Sequence, residues 1–173
     1  GQQLLTELQQ LTRGALAEMR TLLLELRPGV VAEAGLPELL RQLAEAATGR
    51  MGAPVSVAIE GDCAPPQDVH VTLYRIAQEA LNNVIKHARA SQAQVSLRCL
   101  SPGGEGRIEL QVRDNGRGFQ PKEVTPEHLG LSIMRERAED AGARLTVKSE
   151  SGQGTCVTVI WPGESEPHLG HLA

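Results

Sequence analysis

Apolar residues recur at helical spacing at the start of the chain. Between residues 3 and 27 they stand three or four positions apart, at Leu4, Leu8, Leu11, Ala15, Met19, Leu22 and Leu26. A narrow stripe of this kind predicts a long helix that packs against a partner helix in a dimer bundle, with packing on its own domain as the alternative. Pro28 ends the helix, because the residue before a proline avoids the helical region.

After Pro28 the pattern becomes one of helices interleaved with strands. Three helices are predicted, at residues 37–47, 66–88 and 129–141, with Gly49 and Gly142 as the stops of the first and last. Alternating apolar and polar positions predict strands at 55–59, 95–100, 107–113, 145–148 and 154–161. Residues 101–104 read as a hairpin connection.

This order of elements predicts an α+β fold: a two-layer sandwich of a mixed, largely antiparallel sheet with helices on one face, preceded by a long helix. We divide the chain into the leading helix (1–28), one domain (29–163) and a tail without periodicity (164–173) that we expect to be flexible.

The aromatic content and the net charge of the chain limit the kinds of partner it can bind. Of the 173 residues only 2% are aromatic, and the formal net charge is −4. Few aromatic rings and no basic excess argue against direct contact with nucleic acid or with an anionic membrane. No apolar stretch is long enough for a membrane span or a signal peptide, so the predicted location is the cytoplasm.

The cysteines give no sign of a stapled or metal-bound domain. Cys63, Cys99 and Cys156 are an odd number, without a C-x-x-C pair or clustered histidines. This spacing fits neither a disulfide scaffold nor a zinc site.

One face of the helix at 66–88 carries candidate chemistry. At 100° per residue, Glu79, Asn83 and Lys86 share a polar face opposite the apolar one. The plain interpretation is a solvated face. However, Asn is a poor helix former, and Glu and Asn oxygens suit a hydrated Mg²⁺ with phosphates.

Three glycine-containing segments also carry candidate binding residues. Asp114-Asn115-Gly116-Arg117-Gly118-Phe119 ends a strand with a carboxylate that can accept a hydrogen bond from an exocyclic amine such as that of adenine. His128-Leu129-Gly130-Leu131 opens a helix whose free N–H groups can receive phosphate. Gly152-Gln153-Gly154-Thr155 precedes the final strand. Taken singly, each is also compatible with an ordinary turn or helix start.

Together and in this order, these segments resemble the ATP-binding domain of bacterial sensor histidine kinases, within the superfamily that includes gyrase, heat-shock chaperones and mismatch-repair ATPases. The stretches 74–83, 86–88, 130–131 and 134–138 look like the nitrate-sensor-like subgroup, whose members serve response regulators with a helix-turn-helix output domain. The resemblance spans about residues 10–162.

The resemblance implies a role for each site residue. Glu79 and Lys86 would be catalytic, and Asn83 and Glu79 would hold Mg²⁺. ATP would be bound by Asn83, His87, Asp114, Gly116, Gly118, Leu129, Gly130, Leu131 and Thr155. Asp114 would recognise adenine, and 116–128 would be a mobile lid. The leading helix would be the second helix of a dimerisation hairpin, so the full-length protein would be a homodimer, in the cytoplasm or as the cytoplasmic part of a membrane-bound sensor.

One departure affects the expected activity. Kinases of this class phosphorylate a histidine followed by an acidic residue, whereas none of the five histidines here has such a neighbour. We therefore expect the phosphoacceptor helix to lie upstream of this chain. The function implied is transfer of the ATP γ-phosphoryl group to that histidine, for relay to a response regulator. An ATPase or serine-kinase-type regulator on the same fold, or an interaction module without nucleotide, are the alternatives.

Overall fold

The computed structural model describes residues 34–62, 64–100, 106–119 and 129–163. The predicted leading helix, the hairpin connection at 101–104, most of the predicted lid and the predicted flexible tail lie outside these residues.

Three helices and five strands form the described part of the domain. In chain order they are α1 (Leu36–Met51), β1 (Val55–Glu60), α2 (Gln67–Asn83, continued by a π-helical turn at Val84–Ala88), β2 (Ala93–Cys99), β3 (Ile108–Asp114), α3 (Leu129–Asp140), β4 (Arg144–Glu150) and β5 (Gly154–Trp161). The strands make one sheet in the order β1-β2-β3-β5-β4. Only the β1–β2 pair is parallel within it, since α2 carries the chain back between these strands.

A row of valines, one from each strand, shows the register. Across the sheet, Val57 pairs with Val95, Val95 with Val112, Val112 with Val157, and Val157 with Val147. Branched side chains pack well on a pleated surface. The row is buried or half-buried, and it forms the floor on which the helices rest.

The three helices form the second layer on this face. α1 packs on β1 and β2, α2 lies between the other helices over β3 and β5, and α3 packs on β4. On the opposite face of β2 and β3, the alternate positions are exposed or half-buried. The α+β sandwich with helices on one face is confirmed.

The end of α1 differs from the prediction. Gly49 lies within the helix, and Gly52 ends it in the left-handed conformation (φ 66°), donating its N–H to Thr48 O at 3.0 Å. The Thr48 side chain accepts a hydrogen bond from Val55 N, which directs the chain into β1. A glycine in the left-handed region satisfies the last helical carbonyls, and the prediction placed this role three residues too early, at Gly49.

The C-terminal end of α2 is wound differently from the rest. Its last turn, Val84–Ala88, is π-helical, and Arg89 follows with φ 51°. A π-turn holds more residues than an α-turn, so a wheel drawn at 100° per residue misplaces the side chains beyond Asn83. The positions of Lys86 and His87 relative to Glu79 therefore do not follow from the wheel.

The prediction that the cysteine spacing fits no disulfide scaffold missed a disulfide. Cys99, at the end of β2, is disulfide-bonded, and its partner lies outside the described residues. The spacing argument failed because it compares positions along the chain. In the fold β1 and β2 run side by side, and Gly61, just after β1, packs so closely on Cys99 that a Cβ at 61 would lie 2.6 Å from Cys99 O.

Two polar side chains are buried within the part of the chain that the structure describes, His70 and Asp114. Burial lowers the pKa of His70, so the imidazole is neutral at ordinary pH. Asp114 stands at the end of β3, where the loop of glycines begins.

Candidate active site

Asp114 is a buried carboxylate with backbone partners. It is 5% exposed, and its Oδ1 accepts a hydrogen bond of 2.7 Å from Gly116 N. The backbone N–H of Thr155, on the neighbouring strand β5, also donates to it. Burial raises the pKa of Asp114, and these two N–H donors partly offset the rise.

The loop after Asp114 threads between two other backbones. A Cβ on Gly116 would collide with the carbonyl of Ala88, and one on Gly118 with that of Glu150. Gly118 also has a positive φ of 58°, a region that residues with a Cβ seldom adopt. These glycines were predicted to let backbone approach a ligand. In the structure they let backbone approach backbone, which closes the end of α2 against the β4–β5 hairpin.

Hydrogen bonds hold the loop in this position. Arg117 N donates to Ala88 O (2.7 Å), and Arg117 O accepts from Gly152 N (2.6 Å). Phe119 N donates to Ser149 Oγ at 2.9 Å. Residues 116–119 thus belong to the packed framework, which does not fit a lid beginning at Gly116. Residues 120–128 lie outside the described part of the chain.

Asn115 has a structural role that the motif did not reveal. Its Oδ1 accepts from the N–H groups of Ser91 and Gln92 at 3.0 and 3.1 Å, and its Nδ2 donates to Ser91 Oγ. The side chain ties the loop between α2 and β2 to the end of β3. Asn115 therefore stabilises the backbone next to Asp114.

A second cluster forms where α3 begins over the polar face of α2. A Cβ on Gly130 would lie 2.6 Å from Glu79 Oε1 and 3.8 Å from Asn83 Nδ2. A side chain at position 130 would therefore require the Glu79 carboxylate to move away from the first turn of α3. The structure therefore brings Gly130 next to two predicted site residues of α2, Glu79 and Asn83, which lie about 50 positions earlier in the sequence.

The other residues predicted for the site lie on the last turn of α2 or at the start of α3. Lys86 and His87 are exposed on the π-turn. Leu131 is half-buried and packs against the main hydrophobic core. Leu129 begins α3, and its side chain is not among those described.

This arrangement supplies two kinds of binding group. Asp114 offers carboxylate oxygens to a donor. Glu79 and Asn83 offer side-chain oxygens beside the backbone N–H groups of the first turn of α3, which have no partner within the helix itself. Anions bind readily at helix N-termini. The first group suits a base with an exocyclic amine, and the second suits phosphates with a cation.

Similarity to known proteins shows the family of this chain. Residues 68–165 match the family described as histidine kinase-, DNA gyrase B-, and HSP90-like ATPase. The match covers more than half of the 173 residues, and the chain belongs to this family.

The similar proteins narrow the class further. Sensor histidine kinase LiaS of Bacillus subtilis (strain 168) is 37% identical over 145 residues, which cover 84% of this chain and 39% of LiaS. Nitrate/nitrite sensor protein NarQ of Escherichia coli (strain K12) is 36% identical over 165 residues, covering 91% of this chain and 27% of NarQ. The blue-light activated histidine kinase of Erythrobacter litoralis EL346 has a similar structure, with a TM-score of 0.58, 27% identity, and coverage of 76% of this chain and 43% of that one.

These similarities confirm the predicted class, the ATP-binding domain of a bacterial sensor histidine kinase. The chain spans well under half the length of LiaS and NarQ.

None of the helices among the described residues combines the length and the apolar character that crossing a membrane requires. Within the same residues, no three His, Cys, Asp or Glu side chains converge in a way that would hold a metal ion.

We predict that D114N binds Mg-ATP about tenfold to a hundredfold more weakly than the parent, since a charged acceptor for the base is lost. The same variant should melt at or above the parent's temperature at pH 7 without nucleotide. The raised pKa means that the folded state holds the Asp114 proton more tightly than the unfolded state, whose ordinary value is 3.8. Protonated Asp114 therefore stabilises the folded state fully at pH values below 3.8. This contribution to the free energy of unfolding is lost as the pH rises through the pKa of Asp114 in the folded state.

Asparagine avoids this loss because it stays neutral and keeps an oxygen for Gly116 N. The advantage of D114N should therefore shrink on acidification. Calorimetry for binding and thermal melts between pH 4 and 8 measure both effects. A variant that melts well below the parent at pH 7 would show that the fold requires the charge.

Proposed function

We propose that this chain is the catalytic part of a sensor histidine kinase, which binds Mg-ATP and transfers the γ-phosphoryl group to a histidine on an upstream helix. The observation that carries the proposal is the pairing of a buried carboxylate, Asp114, with a helix N-terminus at Gly130 that closes over Glu79 and Asn83. Similarity to proteins named as sensor histidine kinases supports it.

In this proposal the chain positions ATP and neutralises the negative charge of its phosphates. The carboxylate of Asp114 accepts a hydrogen bond from the exocyclic amine of adenine, and Thr155 lies beside Asp114. The N–H groups at the start of α3 bind phosphate oxygens, and Lys86 adds positive charge from the exposed turn of α2. Phosphoryl transfer depends almost wholly on such positioning and on charge stabilisation.

Asn83 and Glu79 fit a magnesium ion. Both side chains are half-buried, and their oxygens are hard ligands. Mg²⁺ usually keeps several waters and takes only one or two protein ligands beside phosphate, so this pair is sufficient. The ion would neutralise charge on the phosphates, and Asn83 would orient it through its side-chain oxygen.

The proposed kinase reaction also defines the partners of this chain. The acceptor is a histidine outside these 173 residues, and the phosphoryl group then passes to a response regulator, which we propose carries a helix-turn-helix output domain. A homodimer formed through the hairpin of the full-length protein would bring donor and acceptor together. We place the domain in the cytoplasm, where ATP is available.

We predict that Asn83→Ala weakens nucleotide binding mainly through the metal. The affinity loss should be large with Mg²⁺ and should shrink when parent and variant are compared in EDTA, because the ion no longer bridges protein and phosphates. Asn82→Ala is the matched control: its Oδ1 accepts a hydrogen bond from Arg50 at 3.4 Å, on the side of α2 that meets α1. An equal loss for Asn83→Ala with and without Mg²⁺ would assign Asn83 to packing.

A labelling experiment tests the proposed reaction. Incubated alone with radiolabelled ATP, the chain should accumulate no acid-labile, base-stable phosphohistidine, because none of its five histidines is followed by an acidic residue. Adding a protein that contains the upstream helix should produce labelling of that helix. Labelling of the chain alone that disappears in His87→Ala would overturn the division into donor and acceptor parts. Steady phosphate release with no labelling in the mixture would favour an ATPase instead.

A further inference from the structure

Ser149, near the end of β4, makes three hydrogen bonds through one hydroxyl. Its Oγ accepts from Phe119 N (2.9 Å), donates to Gly154 O (3.1 Å) and lies 2.9 Å from Thr155 Oγ1. Ser149 and Thr155 are directly opposed in the β4–β5 register. The side chain thus links the loop after β3 to the strand that carries Thr155.

The count of hydrogens decides the direction of the Ser149–Thr155 bond. A serine hydroxyl has one hydrogen, and a carbonyl can only accept. The Ser149 hydrogen goes to Gly154 O, so in the pair of hydroxyls Thr155 is the donor. With its own hydrogen committed to Ser149, Thr155 Oγ1 presents only lone pairs to anything else that approaches it.

Thr155 is next to Asp114. Its backbone N–H donates to the Asp114 carboxylate, and Arg113 pairs with Cys156, which places Asp114 and Thr155 side by side on neighbouring strands. Thr155 alternates with Val157 and Val159, which are buried under the helices. An ionised carboxylate also only accepts, so two acceptors without a donor hydrogen stand together at this end of the sheet.

We propose that Ser149 is a positioning residue that fixes Thr155 as a hydrogen-bond acceptor beside Asp114, and so makes the site prefer a purine with an amine at position 6 over one with a carbonyl there. An amine at this position has two hydrogens, one for each acceptor. A carbonyl would meet two acceptors and no donor. The inference rests on the proposed function, in which this site binds the base of ATP.

The test compares ATP with ITP, whose base has a carbonyl in place of the amine. Dissociation constants for both magnesium complexes are measured on the full chain, for the parent, Ser149→Ala, Ser149→Thr and Ser151→Ala. In Ser149→Ala, the Thr155 hydroxyl is released and can rotate to donate, so the preference for ATP over ITP should fall about three- to tenfold. Ser149→Thr keeps the hydroxyl and should restore the preference. Ser151→Ala removes an exposed hydroxyl from the same hairpin and should change nothing.

A double-mutant cycle separates this role from a structural one. If Ser149 acts through Thr155, Ser149→Ala should not change the ATP-to-ITP ratio further when it is added to Thr155→Val. Equal weakening of ATP and ITP by Ser149→Ala, with circular dichroism unchanged, would reduce Ser149 to a support of the hairpin and overturn the inference. Should Ser149→Ala fail to fold, the Ser149→Thr and Thr155→Val ratios still decide it: Thr155→Val must lower the preference while Ser149→Thr retains it. A parent that binds neither nucleotide would refute the proposed function itself.

Discussion

The site depends on keeping one carboxylate buried at the end of β3. Asp114 is 5% exposed, and a charge in such a place is tolerated only when hydrogen-bond donors surround it. Gly116 N and Thr155 N supply those donors, and they reach it because the chain turns back sharply after Asp114. Three backbones must therefore meet at close range, which explains why side chains are absent at 116, 118 and 154: a Cβ at any of them would collide with a neighbouring backbone.

Much of this framework could be predicted from the sequence, because its signals are local. Period-two alternation identified the five strands to within a few residues, and Gly142, with φ 70°, ends α3 as expected. The buried face of α2 also follows from its periodicity. Asp114, Asn83 and Gly130 were singled out because their motifs occur together in one order, which is more specific than any of them alone.

What could not be predicted depends on contacts between distant segments. The parallel pairing of β1 with β2, and with it the environment of Cys99, is set by a crossover that no window of sequence reveals. The π-turn after Asn83 changes the winding within a helix whose residues give no local sign of it. Ser149 was missed because its role exists only across the hairpin; counting back from the turn at 151–153 to the residue opposite Thr155 would have found it.

We infer that Asp114 organises this end of the sheet before any nucleotide binds. Amide hydrogen exchange, followed residue by residue in the nucleotide-free chain, tests this inference. We expect slow exchange at Gly116 and Thr155 in the parent and much faster exchange at both in Asp114→Ala, while Leu110, in the middle of β3, is unchanged. Fast exchange at Gly116 and Thr155 in the free parent, slowing only when Mg-ATP is added, would contradict it, since the ligand and not the carboxylate would then order the site.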